Sequence, residues 1–135
     1  MIRLILAALA GYLVWTALWL TGTAILFEET AALAAASLPV TDPVALLEIL
    51  GYSAACSWLA GNVSAHIAVG REIRAVQVLV GALLVTGLVV QMGAWKVLPF
   101  WYHAVFLTLL IPIPLAGARF VLRRRQEASP FVHSE

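Results

Sequence analysis

Four uncharged stretches, separated by short clusters of charged residues, are the feature that most constrains the fold of this chain. They cover residues 4–27, 49–70, 75–95 and 97–118. Each is longer than the roughly 20 apolar residues with which an α-helix crosses a bilayer. Only 11% of the residues are charged and the mean hydropathy is +0.99, which excludes an ordinary soluble domain. The sequence therefore predicts an all-α fold, an integral membrane bundle of four transmembrane helices.

Local signals set the ends of the predicted helices. Asp42 before Pro43 is typical of an N-cap followed by a proline in the first turn, and Gly70 is typical of a helix end. We expect one transmembrane domain with short loops and a loosely ordered tail at 123–135. The predicted helices cover about 2–27, 43–69, 73–95 and 98–122. The alanine-rich stretch between the first two predicts one short helix at the outer membrane surface.

The distribution of basic residues predicts the orientation in the membrane. Lys and Arg beside helix ends stay on the cytoplasmic side during insertion. All the arginines fall on the side that holds both termini, whereas Lys96 falls on the other. Both termini are therefore predicted to be cytoplasmic, and the loops around Glu29 and Lys96 to be external.

The second predicted helix carries small residues at every fourth position. In lipid, helices associate closely where small side chains let their backbones approach. The main row is Ser53, Ser57, Gly61 and Ala65, and a second row begins with Gly51 and Ala55. The pattern predicts a helix-packing face and leaves two uses open, packing inside the monomer or an interface with another subunit or a second copy.

Pro112 and Pro114 interrupt the fourth predicted helix. Each proline removes a backbone donor and displaces a carbonyl, so a kink or a broken helix is expected near residues 109–111. A structural kink is one interpretation. The other is an ion site formed by exposed carbonyls, which requires a polar cavity that the apolar neighbours do not supply.

The tryptophans suggest two environments. An aromatic belt at the outer headgroups is predicted from Trp95, Trp101 and Tyr102. The deeper tryptophans are Trp15, Trp19 and Trp58. They either fill space toward lipid and between helices, or line a pocket for a quinone, a pigment or a lipid tail.

Asn62 and His66 are the clearest polar pair within a predicted span. They are four residues apart and therefore share one helix face. One interpretation is an interhelical hydrogen bond to a backbone carbonyl or to Gln77 on the next helix. The other is binding of a ligand, a lipid or a proton, and an oligomeric transporter or channel would use these three side chains.

His103 is the second histidine in a predicted span, at the outer end of the fourth helix. Helical rise separates it from His66 by about 28 Å along the membrane normal, so the two cannot share a metal or a haem. At the outer surface His103 could instead meet Glu28, Glu29 or Glu48. Such a cluster would suit proton exchange or metal capture in an enzyme or lipid-binding protein.

Several activities are disfavoured by absent residues. Cys56 is the single cysteine, which excludes an intramolecular disulfide and dithiol chemistry. The sequence has no glycine-rich phosphate loop, no serine nucleophile elbow and no intramembrane aspartate pair. We therefore predict no catalytic residue, no metal, no fixed cofactor and no nucleic-acid partner. A bound lipid, quinone or pigment stays open, and the basic segment RFVLRRR could recruit anionic lipid.

Three segments carry a resemblance to known proteins. They are GNVSAHIA in the second helix, LPFWYH at the outer turn and LAGARF in the fourth helix. With these, most of the chain resembles small four-helix bacterial inner-membrane proteins that have no assigned activity. The resemblance implies a location in the bacterial inner membrane.

These observations together predict a noncatalytic membrane protein in contact with lipid and other membrane subunits. The leading hypothesis is an accessory or scaffold subunit, or a homo-oligomer, that associates through the Ser53 to Ala65 row. The alternatives are a small oligomeric transporter or channel, and a membrane protein that binds lipid or another hydrophobic ligand.

Overall fold

The computed structural model describes residues 1–129, which form six α-helices and no strand. The helices are α1 (Ile2–Ile25), α2 (Glu28–Ala35), α3 (Pro43–Ile67), α4 (Glu72–Gly93), α5 (Phe100–Leu109) and α6 (Pro112–Glu127). With α5 and α6 taken together, four helices are long and apolar enough to cross a membrane. The predicted all-α class and the four candidate spans are confirmed.

The predicted signals at both ends of α3 act as expected. The Asp42 side chain accepts a hydrogen bond from the Val44 backbone N–H at 3.0 Å, and Pro43 occupies the first turn. After α3, Gly70 has a φ of +82°, a conformation that residues with a Cβ rarely adopt. This glycine allows the tight turn that folds α4 back along α3 as an antiparallel neighbour.

The prolines divide the last candidate span where the sequence predicts. α5 ends at Leu109 and α6 begins at Pro112, with a short turn between them. The predicted end of this helix near residue 122 is wrong, however, because α6 continues to Glu127. Arginine is a good helix former, and an ion pair between Arg125 and Glu72 ties this last part of α6 to α4. The rest of the predicted tail, 130–135, lies outside the described residues.

α3 is the central helix of the bundle. It packs between α1 and α6 and also contacts α4 and α5, while α4 reaches across to contact α1. The short α2 has no buried residue and lies beside α1. The loop after it is held to the α4–α5 turn by the Val40 N–H, which donates to the Val97 carbonyl at 2.9 Å.

The Ser53, Ser57, Gly61 and Ala65 row is buried inside the monomer. A Cβ added at Gly61 would collide with the backbone of Pro114 in α6. On the α1 side, the Trp15 indole N–H donates to the Ser57 hydroxyl at 3.0 Å. Packing within the monomer is thus confirmed, and the expectation that this row forms an interface with a partner is wrong, since α1 and α6 already cover it.

Candidate functional site

The two ends of the bundle differ in charge. At one end the Arg3 Nε donates to the Ile67 carbonyl at 2.9 Å, and Arg125 pairs with Glu72 and also donates to the His66 carbonyl at 3.3 Å. We call this the arginine end. The opposite end, where the loop after α2 meets the α4–α5 turn, contains Lys96 and is called the Lys96 end.

The predicted group of Asn62, His66 and Gln77 does not come together. Asn62 donates to the Trp58 carbonyl at 3.0 Å, and the His66 Nδ1–H donates to the Asn62 carbonyl at 2.9 Å. Both bonds lie within α3, a common choice for a polar side chain one turn from a backbone carbonyl. Gln77 is exposed on α4, and across residues 1–129 no hydrogen bond links it to the other two. The predicted interhelical bond is therefore wrong.

His103 is buried against Gln91, a residue that the sequence reasoning did not single out. The two side chains are 2% and 4% exposed, and the His103 Nδ1–H donates to the Gln91 Oε1. The Trp95 ring stacks on the imidazole at 4.8 Å between centroids and 13° between planes. The Nε2 atom of His103 is buried and has no hydrogen-bond partner in the described part of the chain. Gln91 could have been noticed as a polar residue in an apolar span, but its partner depends on the α4–α5 turn.

The predicted outer cluster of His103 with carboxylates is not formed. Glu28, Glu29 and Glu48 are exposed, whereas His103 faces the bundle interior. Within the described residues, no group of three His, Cys, Asp or Glu side chains is placed to bind a metal ion. The α4–α5 turn explains the difference, because it directs the imidazole toward Gln91 and away from the surface.

The deep tryptophans are packing residues. Trp15 is buried and stacks on Trp19, with 5.7 Å between the ring centroids. The centroids of Trp19 and Phe106 are also 5.7 Å apart. Trp58 contacts Phe120 at 5.3 Å on the α6 side. At the Lys96 end Trp95 and Trp101 are exposed as a belt requires, but Tyr102 is buried and corrects that part of the prediction.

An outward-facing apolar groove lies between α1 and α4, along part of the surface where the two helices meet. It has a volume of about 500 Å³ and is lined by Ile5, Ala8, Leu9, Tyr12, Val78, Gly81, Ala82, Val85 and Thr86. Toward the Lys96 end, the Tyr12 and Thr86 hydroxyls hydrogen bond to each other across it at 2.9 Å. Small side chains on both helices create the space, since a Cβ added at Gly81 would touch no atom within 4 Å. The sequence alone did not indicate that these two helices are neighbours.

The second small-residue row of α3 faces outward. Gly51 and Ala55 are both exposed, and a Cβ added at Gly51 would meet no atom within 4 Å. Leu47 and Leu59, which are also exposed, lie on either side of them along the helix. α3 therefore has one small-residue row that is filled by its own neighbours and one that is open.

Comparison of the chain with family models, with curated proteins and with solved structures finds no match in any of the three.

Proposed function

We propose that this chain is a noncatalytic integral membrane protein that serves as an accessory or scaffold subunit of a larger complex in the bacterial inner membrane. The four apolar helices support insertion, and the arginines gathered at one end support a cytoplasmic location for that end and for both termini. The Lys96 end then faces outward from the cell.

The observation that carries the proposal is the open row of Gly51 and Ala55 on α3. Lipid tails are as apolar as leucine, so helix association in a membrane depends on close backbone approach rather than on hydrophobic burial. Gly51 and Ala55 are four apart and share a face, and the space above Gly51 is empty. A partner helix laid along this row would gain contact over more than one turn of α3.

The charge beside this row favours a partner of different sequence over a second copy. Glu48 is exposed one turn before Gly51 and two turns before Ala55, on the same side of α3. All copies of a membrane protein insert in one orientation, so a symmetric pair joined at this row would bring two Glu48 carboxylates together. Two like charges brought close together at an interface oppose association. A basic residue on a different subunit, placed opposite Glu48, would favour it.

The test is recovery of the partner from gently solubilised native membranes, followed by native mass spectrometry. We expect a larger subunit to accompany the chain in fixed stoichiometry. Gly51→Leu fills the open row and should lower that recovery at least about tenfold, a loss of about 1.4 kcal/mol in association. Gly81→Leu is the matched control, because it adds the same side chain at another exposed helix glycine and should leave recovery unchanged.

Three outcomes would overturn the proposal. The first is recovery of the solubilised chain as a monomer that carries only lipid, which would show that it has no partner subunit. A homo-oligomer that is lost in Gly51→Leu would contradict the argument from Glu48. Equal recovery of a larger subunit by both glycine variants would show that the partner uses another surface.

A further inference from the structure

The seam between α1 and α4 combines the apolar groove with the basic residues of the arginine end. Arg71 is the N-cap residue of α4, and Arg74 in the first turn precedes Val78 by four residues, a spacing that places Arg74 and Val78 on one face of the helix. Gly81, Ala82 and Val85 continue the same stripe. Both arginines are exposed. The two arginines at the start of α4 therefore precede the groove-lining residues of the same helix.

We infer that this seam binds one anionic phospholipid of the cytoplasmic leaflet, with its phosphate at Arg71 and Arg74 and one acyl chain in the groove. The inference rests on the membrane insertion proposed above, but it does not require the partner subunit at α3.

The groove has the length of a lipid tail in one leaflet. On α4 it extends from Val78 to Thr86, which is about 12 Å, and on α1 from Ile5 to Tyr12, which is about 10 Å. One leaflet has a hydrocarbon thickness of about 15 Å, half that of the bilayer core. The hydrogen bond between Tyr12 and Thr86 lies across the groove toward its deep end. An acyl chain that enters from the arginine end fits the length of this groove. A partner helix would instead continue across the whole membrane.

Arg3 adds a third cation beside Arg71. These two residues line a cavity of about 270 Å³ together with Leu4, Ala68 and Val69. The Arg3 Nε is held by the Ile67 carbonyl, and across residues 1–129 no hydrogen bond occupies its terminal nitrogens. Guanidinium groups bind phosphate through paired N–H donors, and a basic pocket between helices at the cytoplasmic surface suits an anionic headgroup.

The acidic residues near the seam do not cancel this charge. Glu72 directly follows Arg71 in the sequence, but its carboxylate is paired with Arg125. Glu127 lies at the end of α6, on a helix that packs against α3 and α4. In the part of the chain that the structure describes, no ion pair involves Arg3, Arg71 or Arg74. Their charge is available to a ligand.

The experiment measures lipids retained by the purified full chain. The protein is reconstituted with equal amounts of phosphatidylglycerol and phosphatidylcholine of identical acyl chains, and native mass spectrometry counts the lipids that stay bound. We expect one retained lipid with at least about a tenfold preference for phosphatidylglycerol. Arg71→Gln with Arg74→Gln should remove the preference, whereas Arg119→Gln with Arg123→Gln on α6 removes the same charge and should preserve it.

The groove is tested separately with Gly81→Leu. A Cβ at this position meets no atom within 4 Å, and the leucine side chain would occupy the space between the helices, so retention of both lipids should fall at least about tenfold. Gly51→Leu is the matched control and should retain lipid as the unmodified chain does. These two variants exchange roles between the lipid and partner experiments, so failure of one proposal can be distinguished from failure of the other.

Three outcomes would overturn the inference. The first is equal retention of the two lipids by the unmodified chain. The second is lipid retention that Gly81→Leu does not change. The third is displacement of the bound lipid by inorganic phosphate alone, which would assign the arginines to a soluble anion.

Discussion

The two small-residue rows of α3 have the same spacing and opposite environments. In the inner row, Gly61 touches the backbone of α6 and Ser57 is bonded to Trp15 of α1. In the outer row, Gly51 and Ala55 are exposed. A repeat of small residues therefore identifies a helix face that another backbone can approach closely. Whether a helix of the same chain covers that face depends on how the remaining helices pack. In α3 the inner row is covered by α1 and α6, whereas the outer row is exposed in the described chain.

The largest difference between the rows is expected for added methyl groups. Gly61→Ala places a Cβ against the Pro114 backbone, which cannot move aside as a flexible side chain can. We expect the free energy of unfolding in detergent to fall by about 1–3 kcal/mol, the usual cost of overpacking. Gly51→Ala has open space and replaces glycine within a helix, so it should raise that free energy by up to about 1 kcal/mol.

The measurement is denaturant unfolding followed by tryptophan fluorescence, with both variants in the same detergent. The contrast between the two rows would be lost if both substitutions changed the unfolding free energy by the same amount. A stabilised Gly61→Ala would mean that α3 and α6 are further apart than the structure places them.

Features that depend on neighbouring residues were accessible from the sequence. The Asp42 and Pro43 start of α3, the turn at Gly70 and the break before Pro112 were predicted because capping, positive φ and the missing proline donor act locally. The lengths of the candidate spans follow from composition in the same way.

Features that join distant segments were not accessible. Tyr12 and Thr86 meet only because α4 crosses to α1, and Gln91 meets His103 only because of the α4–α5 turn. The polarity of Asn62 and His66 within a span suggested an interhelical hydrogen bond, either to a backbone carbonyl or to Gln77. Polarity shows that a side chain needs a partner, but a carbonyl of the same helix is often the nearest one.

The two glutamines of α4 give a second comparison of a buried with an exposed position, this time for polar side chains. Gln91 is buried and accepts from His103, whereas Gln77 is exposed. Gln91→Leu removes the acceptor and leaves the buried imidazole N–H unpaired, so we expect the unfolding free energy to fall by about 1–3 kcal/mol. Gln77→Leu removes the same amide from the outer surface and should change it by less than about 0.5 kcal/mol.

Tryptophan fluorescence gives this comparison a local readout, because Trp95 stacks on the His103 ring. Gln91→Leu should loosen that stack and alter the Trp95 emission before global unfolding begins, whereas Gln77→Leu should leave it unchanged. Equal stability losses in the two leucine variants would contradict the assignment of Gln91 as the partner of His103.

The smallest effect is expected from the hydrogen bond between the inner row and α1. Ser57 accepts from the Trp15 indole and donates to the Ser53 carbonyl at 2.8 Å. A double-mutant cycle with Ser57→Ala and Trp15→Phe isolates the contact between the two side chains from the bulk that each substitution removes. We expect a coupling of about 0.6 kcal/mol, the average for polar pairs between membrane helices.

A cycle with Thr108→Val in place of Ser57→Ala is the control, because the Thr108 hydroxyl donates to the Ala104 carbonyl of its own helix. That second cycle should give no coupling to Trp15. Zero coupling in the first cycle as well would mean that the inner row holds α1 through shape alone. In that case the inner and outer rows would differ only in whether a neighbouring helix is present. Hydrogen bonding would contribute nothing to the packing of α1 against the inner row.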